Sequence, residues 1–138
     1  MIVQEFTLDD YNWLVRVYYL IDKFPLEEIT ENLEELGCPP DEAQETAEQL
    51  ESEGFNIGSI YSNIYKRKSL IIIGKANDAD EFFDTFDHEK GHLAIHISFA
   101  DDIEPFSEEY QYLTAEIGKL MFKASKELFC DECRKKHL

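Results

Sequence analysis

The sequence predicts an α+β fold in which helices cover a small antiparallel or mixed sheet. Residues 13–21 form a run of aromatic and β-branched residues that favours a buried strand. Residues 26–36 instead carry leucine and isoleucine at helical spacing. The chain has 138 residues and no visible linker, so we expect residues 1–138 to form a single domain.

The first half of the chain is predicted to contain one strand and two helices. The strand ends at Phe24-Pro25, and the first helix begins at Leu26 and ends near Gly37. A second helix is predicted from Pro40, because proline is accepted in a first turn, where its missing N–H group is not needed. The apolar positions of this helix are sparse, so we expect it at the periphery.

The second half is predicted to contain two strands and two helices. Two short strands, over residues 57–62 and 69–74, are joined by a Lys-Arg-Lys connection. Residues 79–98 change to helical spacing, and after a polar break a last helix begins near Ser107. The predicted order is therefore β, α, α, β, β, α, α. The buried face of the last helix is predicted to comprise Leu113, Ile117, Leu120, Met121, Ala124 and Leu128.

The charge balance argues against two classes of partner. The chain carries 30 acidic and 13 basic residues, a formal net charge of -17. Binding to nucleic acid or to an anionic membrane surface needs clustered Lys and Arg, so neither partner is expected. Residues 61–75 depart from this balance, with four basic residues and no acidic one.

Several features suit a cytoplasmic protein. No apolar run approaches the roughly 20 residues of a membrane span, and the first ten residues carry acids where a signal peptide carries bases. The three cysteines are an odd number and too few for a disulfide scaffold. Cys130, Cys133 and His137 would supply three of the four ligands of a structural zinc site, and we interpret the cysteines as free thiols.

One motif points to a specific chemistry. His88, Glu89 and His92 form an H-E-x-x-H sequence inside the predicted helix of residues 79–98. Four residues make roughly one helical turn, so both imidazoles project from one face and can share one metal ion. Glu89 lies about 100° around the helix from His88, where its carboxylate can take a proton from a metal-bound water. Zn²⁺ is the expected ion, because it lowers the pKa of such a water to about 7.

The motif resembles that of the zincin metallopeptidases. The similarity covers roughly residues 57–128, which include the motif, the predicted strand upstream of it and a Glu-bearing helix downstream. It implies a zincin-like active-site helix packed on a sheet, Zn²⁺ as cofactor, and a peptide or protein substrate that pairs with a strand of that sheet. Residues 70–73 are the nearest candidate for the pairing strand.

The resemblance also implies a third metal ligand. The metzincin pattern would need Gly at position 95 and His at position 98, but the chain has Ile95 and Ser98. The gluzincin type takes a Glu from the next helix, and Glu109 lies four residues before Leu113, so we expect it on the buried face. Glu108 is the alternative, because helix starts are defined only to within a residue or two. Further acidic candidates are Asp101, Asp102, Glu104 and Glu116.

Three more residues are expected close to the ligands. His96 lies one turn after His92 and is interpreted as a structural histidine or as one that supports a metal ligand. His92 and His96 also form an i, i+4 pair, but the residue after His92 is not the Glu that a base would require. Glu116 is expected to orient a histidine. Tyr112, one turn after Glu109, is the candidate for stabilising the oxyanion, with a position in the core as the alternative.

These observations predict a small zinc-dependent peptidase. In it, His88, His92 and Glu109 would hold the ion, and Glu89 would be the general base. A second hypothesis keeps the fold without catalysis, as a metal-stabilised or acidic protein-binding module. A third hypothesis is an acidic decoy that occupies the nucleic-acid site of a basic partner.

Overall fold

The computed structural model describes residues 1–19, 25–53 and 57–129. Within these residues the helices and strands follow in the order β1 (Ile2–Leu8), β2 (Trp13–Tyr19), α1 (Leu26–Glu35), α2 (Pro40–Glu53), β3 (Gly58–Asn63), β4 (Lys68–Ile73), α3 (Ala79–Asp101) and α4 (Glu108–Ser125). The predicted α+β class is confirmed, and the sheet is mixed. Each predicted helix and strand is present in the described residues, and β1 is an additional strand that the sequence analysis missed.

The four strands of the sheet are arranged in the order β1-β2-β4-β3. β2 and β4 are parallel, whereas β1 pairs with β2 and β3 pairs with β4 in antiparallel fashion. β4 therefore has a neighbour on both sides, and its residues 69–73 are all buried. The prediction that residues 70–73 receive a substrate strand is wrong, because their backbone groups already pair within the sheet. The edge strand on this side is β3.

β1 forms the opposite edge of the sheet and shows the alternation of a strand with one solvated face. Ile2, Gln4 and Phe6 are half-buried, while the residues between them are exposed. The Gln4 side chain donates to the carbonyl of Leu120 at 2.6 Å, which links β1 to α4. A strand with so few apolar residues gives a weak sequence signal.

Helices cover both faces of the sheet. The layer of α1 and α2 packs on the face that presents Tyr18, Leu70 and Ile72. The layer of α3 and α4 packs on the opposite face and forms the larger of the two cores. That core includes Val15, Val17, Tyr19, Ile71, Ile73, Phe82, Phe86, Leu93, Ile97, Leu113, Ile117 and Met121. Among the described residues, no helix is both long and apolar enough to cross a bilayer.

α3 carries the H-E-x-x-H motif and is held at both ends. The Asp78 side chain accepts a hydrogen bond from the Glu81 backbone N–H at 2.9 Å and caps the first turn. The helix ends at Asp102, which adopts a left-handed conformation with φ of 56°. α3 is thus three residues longer than the predicted 79–98. It runs along β3 in the same direction, because Glu89 lies beside Gly58 and His96 contacts Ser62.

Candidate metal site

The structure brings the two imidazoles of the motif together. The Nε2 atoms of His88 and His92 lie 3.1 Å apart, and the ring centroids lie 4.7 Å apart. Two nitrogen ligands of a tetrahedral Zn²⁺, each about 2.0–2.1 Å from the ion, would lie about 3.3 Å apart. Both side chains are exposed, so a cation has access to them. The pair therefore fits two coordination positions of one metal ion.

Glu89 is buried beside this pair. Its side chain is 5% exposed and lies against the backbone of Gly58, where a Cβ atom would come within 2.8 Å of both the Glu89 Cγ and Oε1 atoms. Burial raises the pKa of the Glu89 carboxyl, and the neighbouring His88 and His92 offset part of this increase. A carboxylate with a raised pKa is a stronger base than an ordinary glutamate.

A shallow channel separates α3 from the edge strand, and we call it the β3–α3 groove. Its walls are short segments of both elements, and it is open to solvent along the motif. The residues that line it are Gly58, Ser59, Ile60, His88, Glu89, His92 and His96. The two imidazoles of the motif therefore lie next to the backbone of the edge strand β3.

The predicted third ligand does not join the site. Glu109 is exposed, and its Oε1 atom accepts a hydrogen bond from the Tyr11 hydroxyl at 3.4 Å. Further along α4, Gly118 faces Lys90, so Glu109 lies nine residues, or about 13 Å along the helix, from the level of the motif. The expectation that Glu109 shares the buried face of Leu113 is wrong, because only Leu113 is buried. Among the described residues, no group of three or more His, Cys, Asp and Glu side chains could hold a metal ion.

The other acidic and aromatic candidates also lie elsewhere. The Asp101 carboxylate pairs with Arg67 at 2.7 Å, and Asp102 ends α3. Tyr112 is 71% exposed and borders a different depression, near β1, so it is placed neither in the core nor in the β3–α3 groove. The remaining candidates, Glu104, Glu108 and Glu116, have exposed side chains. None of the three lines the β3–α3 groove.

His96 is held by residues that the sequence analysis did not single out. Its Nδ1 atom lies 2.7 Å from the Ser62 hydroxyl, which lies 2.6 Å from the Ser69 hydroxyl. Ser69 in turn accepts a hydrogen bond from the indole N–H of Trp13 at 2.8 Å. Ser62 and Ser69 are directly paired across β3 and β4, so only knowledge of the hairpin register could have linked them to His96. Burial lowers the pKa of His96, and the nearby His92 adds to this effect.

Of the three cysteines, Cys38 lies within the described residues. Cys130, Cys133 and His137 lie outside the described residues. Cys38 is a free, buried cysteine at the entrance to α2. Burial raises the pKa of its thiol, and the carboxylates of Glu42 and its neighbours act in the same direction.

Comparison with known proteins identifies no family for this chain. No family model matches it, and neither the curated proteins nor the solved structures give a significant match. The resemblance to zincins stays a prediction from the sequence motif.

Proposed function

We propose that the protein is a zinc-dependent peptidase in which His88 and His92 hold the ion and Glu89 is the general base. The observation that carries this proposal is the 3.1 Å separation of the two Nε2 atoms, with Glu89 at the adjacent position on α3. The described residues supply two protein ligands, one fewer than the three of a typical catalytic zinc site. A cytoplasmic location is part of the proposal, since the three cysteines are too few for a disulfide scaffold.

Glu89 is suited to move a proton. Its buried position against Gly58 limits the rotamers that its side chain can adopt, so the carboxylate stays beside the histidine pair. Burial raises the pKa of the Glu89 carboxyl towards neutral pH, and a general base is most effective when its pKa lies near the working pH. A bound Zn²⁺ would supply a Lewis acid and an acidified water at the same place.

The substrate that suits this site is an extended peptide. β3 is an edge strand, and none of its residues is charged, so it lacks the charged side chains that commonly protect an edge from pairing. A peptide that paired with β3 would run along the groove and pass the two histidines. Backbone pairing of this kind favours unstructured segments over folded proteins.

The test combines zinc binding with proteolysis. Zinc binding is measured by calorimetry, and turnover is followed with a fluorescently labelled unfolded protein in the presence of Zn²⁺. Glu89→Gln should retain zinc binding and lower kcat by about 10²–10⁴-fold, because a positioned general base contributes that much. Glu116→Gln, an exposed position on α4, is the matched control and should behave as wild type. Wild-type protein that binds no zinc, or activity unchanged in Glu89→Gln, would contradict the proposal.

A non-catalytic, metal-stabilised binding module is the second candidate. It is favoured by the position of Glu109 away from the histidine pair and by the deep burial of Glu89. In this case zinc should raise the melting temperature, chelation should reverse the increase, and no peptide should be cleaved. The acidic-decoy hypothesis predicts neither effect.

A further inference from the structure

A chain of four hydrogen-bonded side chains connects the core to the β3–α3 groove, and its direction can be deduced. An indole N–H group can only donate, so Trp13 occupies one lone pair of the Ser69 oxygen. Ser69 is 2% exposed, and its other hydrogen-bond partner is the Ser62 hydroxyl. The Ser69 proton therefore has one available acceptor, which is Ser62.

The rest of the chain follows from this first step. Ser62 accepts from Ser69 and keeps its own proton, and the Nδ1 atom of His96 at 2.7 Å is the acceptor available to that proton among the described contacts. A ring that donated from Nδ1 would leave the Ser62 proton without such an acceptor. In the reverse direction, His96 would donate to Ser62 and Ser62 to Ser69, and the buried Ser69 proton would have no acceptor. An unpaired buried polar group costs about 1–3 kcal/mol, so the first direction is preferred.

From this direction we infer that His96 is a neutral imidazole with its proton on Nε2, and that this N–H group donates to the carbonyl oxygen of the bound substrate. The inference rests on the proposed peptidase function. His96 lines the groove one turn after His92, and among the described contacts its Nε2 atom has no hydrogen-bond partner.

This assignment gives different roles to the histidines of α3. His96 has no free lone pair, because Nδ1 accepts from Ser62 and Nε2 carries the proton. It is therefore a donor and not a third metal ligand. A peptidase needs a hydrogen-bond donor that stabilises the developing oxyanion. Tyr112 was the candidate for this role in the sequence, but it lies outside the β3–α3 groove.

The tautomer is tested by NMR of the ¹⁵N-labelled protein, without any need for activity. In wild type we expect long-range ¹H–¹⁵N couplings of the His96 ring that identify a protonated Nε2 and an unprotonated Nδ1. Ser62→Ala removes the donor to Nδ1 and should produce a mixture of tautomers. A wild-type ring protonated on Nδ1 would overturn the inference.

The role as a donor is tested with two substitutions that separate the ring nitrogens. The amide of His96→Asn can accept from Ser62 but does not reach the Nε2 position, whereas the amide of His96→Gln places an N–H group near Nε2. We expect His96→Asn to lower kcat by about 10²–10³-fold with little change in KM, and His96→Gln to retain most of kcat.

The outcomes separate this inference from the proposed function. Equal kcat in both variants, or wild-type kcat in His96→Asn, would refute the donor role while leaving the peptidase intact. A wild-type protein without peptidase activity would refute both the proposed function and the donor role. The NMR result would then still report whether the hydrogen-bonded chain has the deduced direction.

Discussion

Gly58 lies directly against the side chain of Glu89, with space for a hydrogen atom and none for a methyl group. A Cβ atom at this position would approach the Glu89 Cγ and Oε1 atoms to 2.8 Å and the Thr85 Cγ2 atom to 2.7 Å. The close approach lets α3 pack on the edge strand at the motif. It also makes the position of the proposed base dependent on one glycine.

Gly58→Ala is therefore expected to lower the free energy of unfolding by about 1–3 kcal/mol, because Glu89 or β3 must move to accept the methyl group. Gly91→Ala is the matched control. It lies on the same helix as Glu89, nothing lies within 4 Å of its added Cβ, and a helical Gly→Ala change should stabilise by about 0.5–1 kcal/mol. Urea denaturation measures both values. A Gly58→Ala protein as stable as wild type would contradict the tight contact.

Much of the fold could be predicted because its signals are local. The helical spacing of α1 and α3 and the apolar run of β4 each depend on neighbouring residues. The end of the first helix at Gly37 and the end of the preceding strand at Pro25 are signalled by single residues. The place of β4 inside the sheet depends instead on which strands pair. Its Leu-Ile-Ile-Ile run is typical of a strand buried on both faces, and it could have indicated a central position.

The candidate site likewise has one part that the sequence could predict and another that depends on tertiary packing. His88 and His92 are one turn apart on one helix, so their proximity follows from helix geometry alone. The position of Glu109 depends on how far α4 extends past the motif along α3, which no pattern in the sequence specifies. The link from His96 to Ser62 joins residues 34 positions apart and depends on the register of two strands and on their packing against α3.

The Glu109 correction leads to a direct prediction for metal binding. Glu109→Gln should leave the zinc dissociation constant unchanged within about twofold, because the Glu109 carboxylate contacts Tyr11 in the first turn of α4, away from the two histidines. His88→Ala should weaken zinc binding by at least about tenfold, since it removes one of the two proposed imidazole ligands. Isothermal titration calorimetry measures both. A large loss of affinity in Glu109→Gln would restore Glu109 as a ligand.

Cys38 gives a prediction about pH. Its pKa is raised in the folded protein, first by burial, so the unfolded thiol loses its proton at a lower pH than the folded one. The ordinary pKa of a cysteine thiol is 9.0. Below pH 9.0 the contribution of Cys38 to the free energy of unfolding is therefore constant, and it falls as the pH rises above 9.0. The stability difference between wild type and Cys38→Ala, measured by urea denaturation, should narrow above pH 9.0. A difference that widens there would contradict the raised pKa.

Arg67 connects three parts of the structure from the turn between β3 and β4. Its guanidinium pairs with the Asp101 carboxylate at 2.7 Å, donates to the Tyr11 carbonyl and lies 5.1 Å from the centroid of the Trp13 ring. Hydrogen bonding to Asp101 raises the pKa of Arg67. Because a lysine cannot reproduce the planar fork, Arg67→Lys should lower the free energy of unfolding by about 1–2 kcal/mol.

The matched control for this change is Arg16→Lys. Arg16 pairs with Glu5 at 3.2 Å on the surface of the sheet, and both side chains are exposed by a third or more. An exposed pair of this kind contributes little, so Arg16→Lys should change the stability by less than about 0.5 kcal/mol. Equal losses in the two variants would mean that the contacts of Arg67 with Asp101 and Tyr11 add nothing beyond its charge. A selective loss in Arg67→Lys would show that its fork of donors holds the end of α3, at Asp101, to the Tyr11 segment.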